Sequence, residues 1–257
     1  MPKSKSSTTP VNSNHTLTMK HTLLLASALL LMANPTQKVN AQEKDQIPLG
    51  LEAVTGYRTN YYQRSIELAD SVLDFQIEGE VSLSNSLSLG YGAWYLTETG
   101  NGDFTEVGSR LSLTKDWTNI QLKGITEYRN VDHANVDSGV YLATSASYYL
   151  TPSTNFSNSI SLEVGYDTAA EGTFSELEFA NFYELTEDSY LLTQISINQT
   201  TDFYEAGSDF NLAGKVSYTY NLSKQVSVTP FIEAQTSIDN SPNKDFFSSG
   251  IYFEVSF

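Results

Sequence analysis

The chain has no cysteine among its 257 residues. This absence excludes disulfide bonds, thiolate metal sites, a cysteine nucleophile and lipid attachment at an N-terminal cysteine. Long apolar runs are also missing beyond residue 41. No stretch there approaches the roughly 18 apolar residues that a membrane-spanning helix requires. We therefore expect no spanning helix in residues 42–257.

Positive charge is scarce in the same region. Four of the 14 basic residues and none of the 30 acidic residues lie in residues 1–41. The rest of the chain therefore carries 10 basic against 30 acidic residues, a formal charge of −20. Nucleic acids bind surfaces of the opposite charge, so we exclude them as partners.

The segment 19–41, MKHTLLLASALLLMANPTQKVNA, has the three-part layout of a secretory signal peptide. A lysine follows Met19, an apolar stretch comes next, and the small residues Val39-Asn40-Ala41 close the segment. An N-terminal membrane anchor is the alternative, but the apolar stretch is too short to span a bilayer. We predict a signal peptide at 1–41 whose functional start is Met19, followed by one domain at 42–257.

Apolar and polar residues alternate throughout this domain, a period that predicts half-buried strands. In segment 72–83, Phe75 and Ile77 share one face while Asp74, Gln76 and Glu78 share the other. Most segments have about the 9–11 residues of a tilted transmembrane strand. The twelve predicted strands are 51–62, 71–83, 87–97, 105–115, 119–129, 139–150, 156–167, 176–185, 189–199, 209–222, 226–236 and 247–257.

The connections alternate between short turns and longer loops rich in Gly, Asp, Asn and Pro, which is the plan of an outer-membrane barrel. Aromatic residues lie near the strand ends, as a lipid headgroup interface favours; examples are Tyr61, Tyr95, Trp117, Tyr128, Tyr148 and Tyr220. A soluble β-sandwich is the alternative, and Pro230 inside a strand is a local objection. We predict an all-β fold, an antiparallel up-and-down transmembrane β-barrel of about 12 strands.

If the apolar faces contact lipid, the alternate positions face the lumen. We predict that the lumen is narrow, wet and mainly acidic, and that it favours cations. In the alternative, acids and bases pair across the interior and plug it. The predicted pore-lining residues are Arg58, Asp74, Glu78, Glu80, Glu106, Arg110, Lys123, Glu127, Glu163, Lys215 and Glu233, with Arg129, Glu176, Glu178 and Glu254 also inside.

The last strand ends on a bare aromatic residue. Ile251, Phe253, Val255 and Phe257 alternate on its predicted lipid-facing side. This ending resembles the signal that the outer-membrane barrel assembly machinery recognises. We therefore predict an outer-membrane location, with that machinery and outer-membrane lipid as partners; the sequence predicts no oligomeric state.

Catalytic and metal-binding patterns are weak. His133 is the one histidine in 42–257, and it lies in a loop without a placed serine or acid partner. The loop acids Asp132, Asp137, Asp239 and Asp245 match no defined calcium-loop spacing. We expect no enzymatic activity, no metal and no cofactor.

Part of the chain is similar to a known family. The stretch VTGYRTNYYQRS (Val54–Ser65), Gln76 and LGYGAWY (Leu89–Tyr95) resemble the start of the TorF-type porin family. In that family an Arg-Gly ends the first strand, whereas Ser65 follows Arg64 here. The resemblance implies a small channel of undetermined substrate and brings no catalytic residues. Our hypothesis is a porin for passive diffusion of small hydrophilic solutes; the alternative is a non-conducting structural or surface-binding barrel.

Overall fold

The computed structural model describes most of the predicted barrel domain. The described ranges are 50–64, 66–100, 102–132, 137–153, 155–203, 208–238 and 245–257. The predicted signal peptide, residues 1–41, lies outside them and stays a prediction. In the described part of the chain, no helix is both long enough and apolar enough to cross a membrane.

The described residues form twelve antiparallel strands in a single sheet. Each strand pairs with its neighbours in sequence, and β1 pairs with β12 to close the barrel. This confirms the predicted fold class and strand number. The strands are β1 Glu52–Gln63, β2 Ile66–Ser84, β3 Leu87–Glu98, β4 Thr105–Asp116, β5 Ile120–Asp132, β6 Gly139–Ser153, β7 Phe156–Asp167, β8 Gly172–Thr186, β9 Ser189–Thr201, β10 Asp209–Asn221, β11 Val226–Ser237 and β12 Phe246–Ser256.

Two strands begin earlier than the alternation predicts. β2 begins at Ile66 and not at residue 71, and β8 begins at Gly172 and not at residue 176. At the start of β2 the pairing with β1 is irregular, with a register shift between Tyr61 and Tyr62 on β1. The alternation of apolar and polar residues is interrupted in this part of β2, so it did not predict a strand there, although the backbone still pairs with β1.

The apolar faces of the strands point away from the barrel axis. Leu73 and Phe75 are 38% and 47% exposed, whereas Asp74 between them is 1% exposed. The same contrast recurs around the barrel, and Leu111, Ile195 and Ile232 are all exposed. A soluble sandwich buries its apolar faces between two sheets. One closed sheet with an apolar exterior therefore excludes the sandwich alternative.

Pro230 is accommodated by a gap in one ladder. The pairs between β10 and β11 run from Asn211–Ser237 to Ser217–Phe231 and resume at Tyr220–Val228. Pro230 falls within the gap, where a proline costs no ladder bond because none is present. On its other side, Pro230 lies opposite Ile251 of β12. The strand prediction for this segment is confirmed.

Two glycines let aromatic rings lie flat against the inner wall. A Cβ on Gly108 of β4 would lie 2.0 Å from the Trp94 ring of β3. A Cβ on Gly165 of β7 would lie 2.3 Å from the Tyr141 ring of β6. Such distances are far inside van der Waals contact, so each ring occupies the space that a side chain on the neighbouring strand would need.

The hairpin between β1 and β2 departs from regular geometry. Asn60 and Arg64 have positive φ angles of 48° and 47°, which is uncommon for residues other than glycine. Around this bend Tyr61, Leu68 and Ala69 are all buried. We call residues 60–64 and 66–69 the β1–β2 tip. Tyr61, predicted to lie at a lipid interface, is instead inside the barrel because the bend at Asn60 turns it inward.

Candidate pore and its constriction

The structure places all of the predicted pore-lining residues on the inner face of the sheet. Most of them, from Arg58 on β1 to Glu127 on β5, line one cavity of about 410 Å³, which we call the β1–β5 cavity. Lys215 and Glu233 line a second cavity of about 250 Å³, the β8–β12 cavity. Glu163 lies between the two, accepting a hydrogen bond from the Tyr141 hydroxyl at 2.9 Å. Whether these side chains line a conducting pore stays a prediction.

The β1–β5 cavity reaches from the turn end of the barrel to the loop end. Gly50 and Glu52 line it where the chain enters β1, and Trp94 and Glu106 line it near the start of β4. Its surface is mostly polar, because the strands contribute carboxylates, arginines, glutamine and serine from their inward positions. A polar interior beneath an apolar exterior is the arrangement of a membrane barrel.

The β8–β12 cavity carries its own acidic group. Glu176 and Glu178 of β8 line it together with Gln194, Lys215 and Glu233. Gln194 donates a hydrogen bond to Glu178 at 2.8 Å, and the Lys215 ammonium lies 4.0 Å from the Glu233 carboxylate. Glu176 also lies directly opposite Glu163 of β7 in the ladder, so like charges face each other here.

A buried ion-pair network crosses the loop end of the barrel. The Arg64 guanidinium lies 3.1 Å from Glu127 of β5 and 3.4 Å from Asp167 of β7. Arg129 reaches the same Asp167 at 2.5 Å, and Arg110 reaches Glu127 at 2.9 Å. Since β7 lies six strands from β1 around the ring, the Arg64 side chain bridges opposite walls.

Arg64 and Asp167 belong to this site, although neither is among the predicted pore-lining residues. Asp167 alternates with the outward Tyr166, so its inward direction is readable from the strand pattern. Arg64 lies in a turn, where no periodicity predicts a direction. The Arg64 guanidinium also stacks over the Tyr141 ring, 3.5 Å from its centroid, a contact that only the folded barrel creates.

Apolar clusters flank the ion pairs inside the barrel. The first contains Tyr61, Leu68 and Ala69 of the β1–β2 tip, packed with Leu96, Phe104 and Val131. The second, on the opposite wall, contains Tyr141, Ala143, Ala170, Phe174 and Phe203. Ile66 of the tip packs against both clusters. The tip therefore occupies the lumen at the loop end, and this layer resembles the plugged alternative more than an open passage.

Acids outnumber bases on the inner face. Asp74, Glu127, Asp167 and Glu233 form ion pairs. Within the described ranges no ion pair is formed by Glu78, Glu80, Glu163, Glu176 or Glu178. Unneutralised carboxylates on a concave wall concentrate a negative potential in the lumen.

The closing strand has the predicted orientation. Ile251, Phe253 and Val255 alternate with the inward Tyr252 and Glu254, and Phe253 is 43% exposed. Phe257 follows the last paired residue, and its backbone N–H donates a hydrogen bond of 2.9 Å to the Leu51 carbonyl. The terminus is thus held against the start of β1. Its role as an assembly signal stays a prediction.

The loops that carry the catalytic and calcium-binding candidates lie partly outside the described residues. His133 and Asp239 lie outside the described residues, so the expectation that the protein is not an enzyme stays a prediction. Among the residues that are described, no group of three or more His, Asp or Glu side chains is arranged to hold a metal ion.

The fold is shared with bacterial outer-membrane barrels. The structure resembles an outer membrane channel from Pseudomonas putida F1 (TM-score 0.60, 9% identity, covering 86% of this chain and 100% of that chain). It also resembles the KdgM porin (TM-score 0.50, 7% identity, 80% and 99% covered) and the β domain of the Bordetella autotransporter BrkA (TM-score 0.51, 12% identity, 82% and 100% covered).

These similarities show the fold alone, because every identity is far below the level at which function transfers. The chain matches no family model and no curated protein sequence. The narrower resemblance to TorF-type porins therefore stays a prediction. What the structure and its relatives establish together is a closed twelve-stranded barrel of the kind built by outer-membrane channels and porins.

Proposed function

We propose that the protein is a porin-like channel of the bacterial outer membrane for passive diffusion of small hydrophilic solutes, with an acidic lumen that favours cations. The observation that carries the proposal is the difference in polarity between the two faces of the sheet. The outer face exposes aliphatic side chains, whereas the inner face encloses polar cavities of about 410 and 250 Å³. Polar interiors occur both in water-filled barrels and in plugged ones, and the cavities that remain between the polar side chains favour the water-filled kind.

The outer face supports the membrane location. Every strand has exposed apolar residues on its outer face, and a soluble monomer rarely presents such a surface. Tyr95 and Tyr128 lie toward the loop end, and Tyr148, Tyr183 and Tyr220 lie toward the turn end, all with exposed rings. Two rings of aromatics on either side of an aliphatic band fit the two headgroup interfaces of a bilayer.

Charge supports the preference for cations. Glu78 and Glu80 face the β1–β5 cavity, and Glu176 and Glu178 face the β8–β12 cavity. Fixed carboxylates lower the energy of a cation in a narrow pore and raise that of an anion. The β1–β2 tip then forms the constriction of the pathway, and Arg64 is the positive group that a passing solute meets there.

A permanently closed barrel is the second candidate function. It is favoured by one observation, the seat of the β1–β2 tip between two apolar clusters with Ile66 in contact with both. In that case the barrel acts as a structural or surface-binding element, and its acidic loops carry the activity.

Reconstitution of the purified full chain into planar lipid bilayers separates the two candidates. We expect discrete single-channel currents in KCl and a preference for potassium over chloride. Absence of current in the wild-type protein, together with currents from a variant of the β1–β2 tip, would establish the closed barrel. Absence of current from both would overturn a channel function altogether.

A further inference from the structure

The β1–β5 cavity contains twice as many acids as bases. Six carboxylates line it, against the three bases Arg58, Arg110 and Lys123. Two of these bases are already engaged, because Arg58 pairs with Asp74 at 3.1 Å and Arg110 pairs with Glu127 at 2.9 Å. The cavity therefore retains a negative charge that its own side chains do not balance.

Two buried acceptors in this cavity have no donor within the described part of the chain. Asp74 and Glu106 are each 1% exposed. Asp74 accepts hydrogen bonds at Oδ2 from Arg58 and Gln76, and Glu106 accepts one at Oε1 from the Trp94 indole. Among the described residues, Asp74 Oδ1 and Glu106 Oε2 have no hydrogen-bond partner. Buried polar atoms are normally satisfied, so each such exception requires an explanation.

The spacing of the carboxylates argues against a metal ion as the missing partner. Asp74 and Glu106 are separated by Leu96 on one rung of the sheet, and Glu78 lies about 13 Å from Asp74 along β2 at ~3.3 Å per residue. Among the described residues no three ligands converge on one point. An elongated ligand with cationic groups at both ends matches this spacing.

The wall between the charged positions suits an alkyl chain. The Trp94 ring lies flat over Gly108 and lines the cavity. On the same strand the nearest atoms to a Cβ on Gly92 would be Ile77 O at 3.5 Å and Glu78 Cγ at 3.6 Å, whereas the Ser112 hydroxyl would lie 2.6 Å from a Cβ on Gly90. Between Glu78 and Asp74, methylene groups can therefore pass over Gly92 without displacing a side chain.

We propose that the β1–β5 cavity is a binding site for linear aliphatic cations with two or more ammonium groups. One ammonium lies at Glu78 and Glu80, and another donates to the acceptors at Asp74 and Glu106. The methylenes between them contact Trp94. This site lies in the proposed diffusion path and therefore rests on the proposed channel function, for which it names the solute class.

The binding test uses Trp94 as an internal reporter. The chain has only two tryptophans, so Trp117→Phe leaves Trp94 as the single emitter in the purified, detergent-solubilised full chain. We expect a saturable change in emission on titration with spermidine. The monoamine n-butylamine should bind at least ~10-fold more weakly, because it can form only one of the two charged hydrogen-bond sets.

Charge-matched variants locate the site. Glu78→Gln with Glu80→Gln should weaken spermidine binding by at least ~10-fold. Glu176→Gln with Glu178→Gln removes the same charge from the β8–β12 cavity and should change binding by less than about twofold. Equal weakening by both pairs would mean that only the overall charge matters, and this would overturn the site.

A second pair of variants does not depend on removing any carboxylate. Gly92→Lys supplies an internal ammonium next to Glu78 and should abolish spermidine binding, while Gly92→Gln fills the same space without charge and should retain more of it. Unchanged binding in Gly92→Lys would contradict the site.

Bilayer recordings separate this site from the channel function. Potassium current without saturable spermidine binding would overturn the site and leave the channel standing. Saturable binding that is lost in the Glu78/Glu80 variant, in a barrel that passes no current, would support the site and contradict the channel.

Discussion

The Trp94 side chain packs in space that a side chain on the neighbouring strand β4 would otherwise occupy. The Trp94 ring occupies the volume above Gly108, and its indole N–H donates to the buried Glu106 at 2.6 Å. The position of the ring therefore requires a glycine at residue 108, which lies opposite Trp94 on β4. By contrast, a Cβ on Gly124, on the outer face of β5, would meet no atom within 4 Å.

This contrast predicts opposite outcomes for two alanine substitutions. Gly108→Ala should lower the free energy of unfolding by about 1–3 kcal/mol, because the new methyl group forces the ring to move. Gly124→Ala is the matched control and should leave stability within about 0.5 kcal/mol. Urea titration of the folded barrel in detergent or lipid measures both. Equal effects of the two substitutions would contradict the packing described for Trp94.

Inward positions were predictable at the residue scale wherever the alternation is regular. Every predicted pore-lining residue falls on the inner face because the side-chain period of a strand is fixed at two. Tyr61 breaks this rule, since the positive φ angle of Asn60 introduces a bend that shifts the face of the next residue. Pairings such as Arg64 with Asp167 join residues far apart in sequence, and no local pattern encodes them.

At the scale of elements, the β1–β2 tip distinguishes this barrel from a plain hairpin series. Its apolar side chains and Arg64 enter the lumen and contact walls on both sides. The strands themselves were predictable from alternation and turn residues. The inward tip was not, because residues 63–70 fall between two predicted strands and their position is decided by tertiary contacts.

Removing the central contact of the tip should widen the pathway. Ile66→Ala deletes the side chain that packs against both apolar clusters, and we expect a higher single-channel conductance than in the wild type. Ile77→Ala, on the outer face of β2 where the side chain is 54% exposed, is the control and should leave conductance unchanged. An unchanged conductance in Ile66→Ala would mean that the tip is not the constriction.

At the scale of the whole molecule, closure of the barrel depends on the last strand. β12 pairs with both β11 and β1, so the barrel is complete only when the C-terminus is in place. Phe257 lies beyond these pairs and is 53% exposed. Its ring thus contributes little packing, which agrees with a role in recognition during assembly.

The role of Phe257 can be separated from ordinary lipid contact. Phe257→Ala keeps the backbone hydrogen bond to Leu51 and should reduce the amount of protein assembled in the outer membrane, while refolding in detergent stays close to wild type. Phe247→Ala, on β12 with a side chain that is 58% exposed, should assemble normally. Quantitative membrane fractionation and heat-modifiable gel migration provide the two readouts. Equal loss in assembly and in refolding would assign Phe257 a packing role only.

In the proposed function the lumen conducts and its carboxylates select cations. The most direct test is the reversal potential of the purified wild-type barrel in a planar bilayer under a KCl gradient. We predict a reversal potential with the sign of potassium selectivity, shifted toward zero by Glu78→Gln with Glu80→Gln. A reversal potential with the sign of chloride selectivity, or no current from either protein, would contradict cation conduction through this lumen.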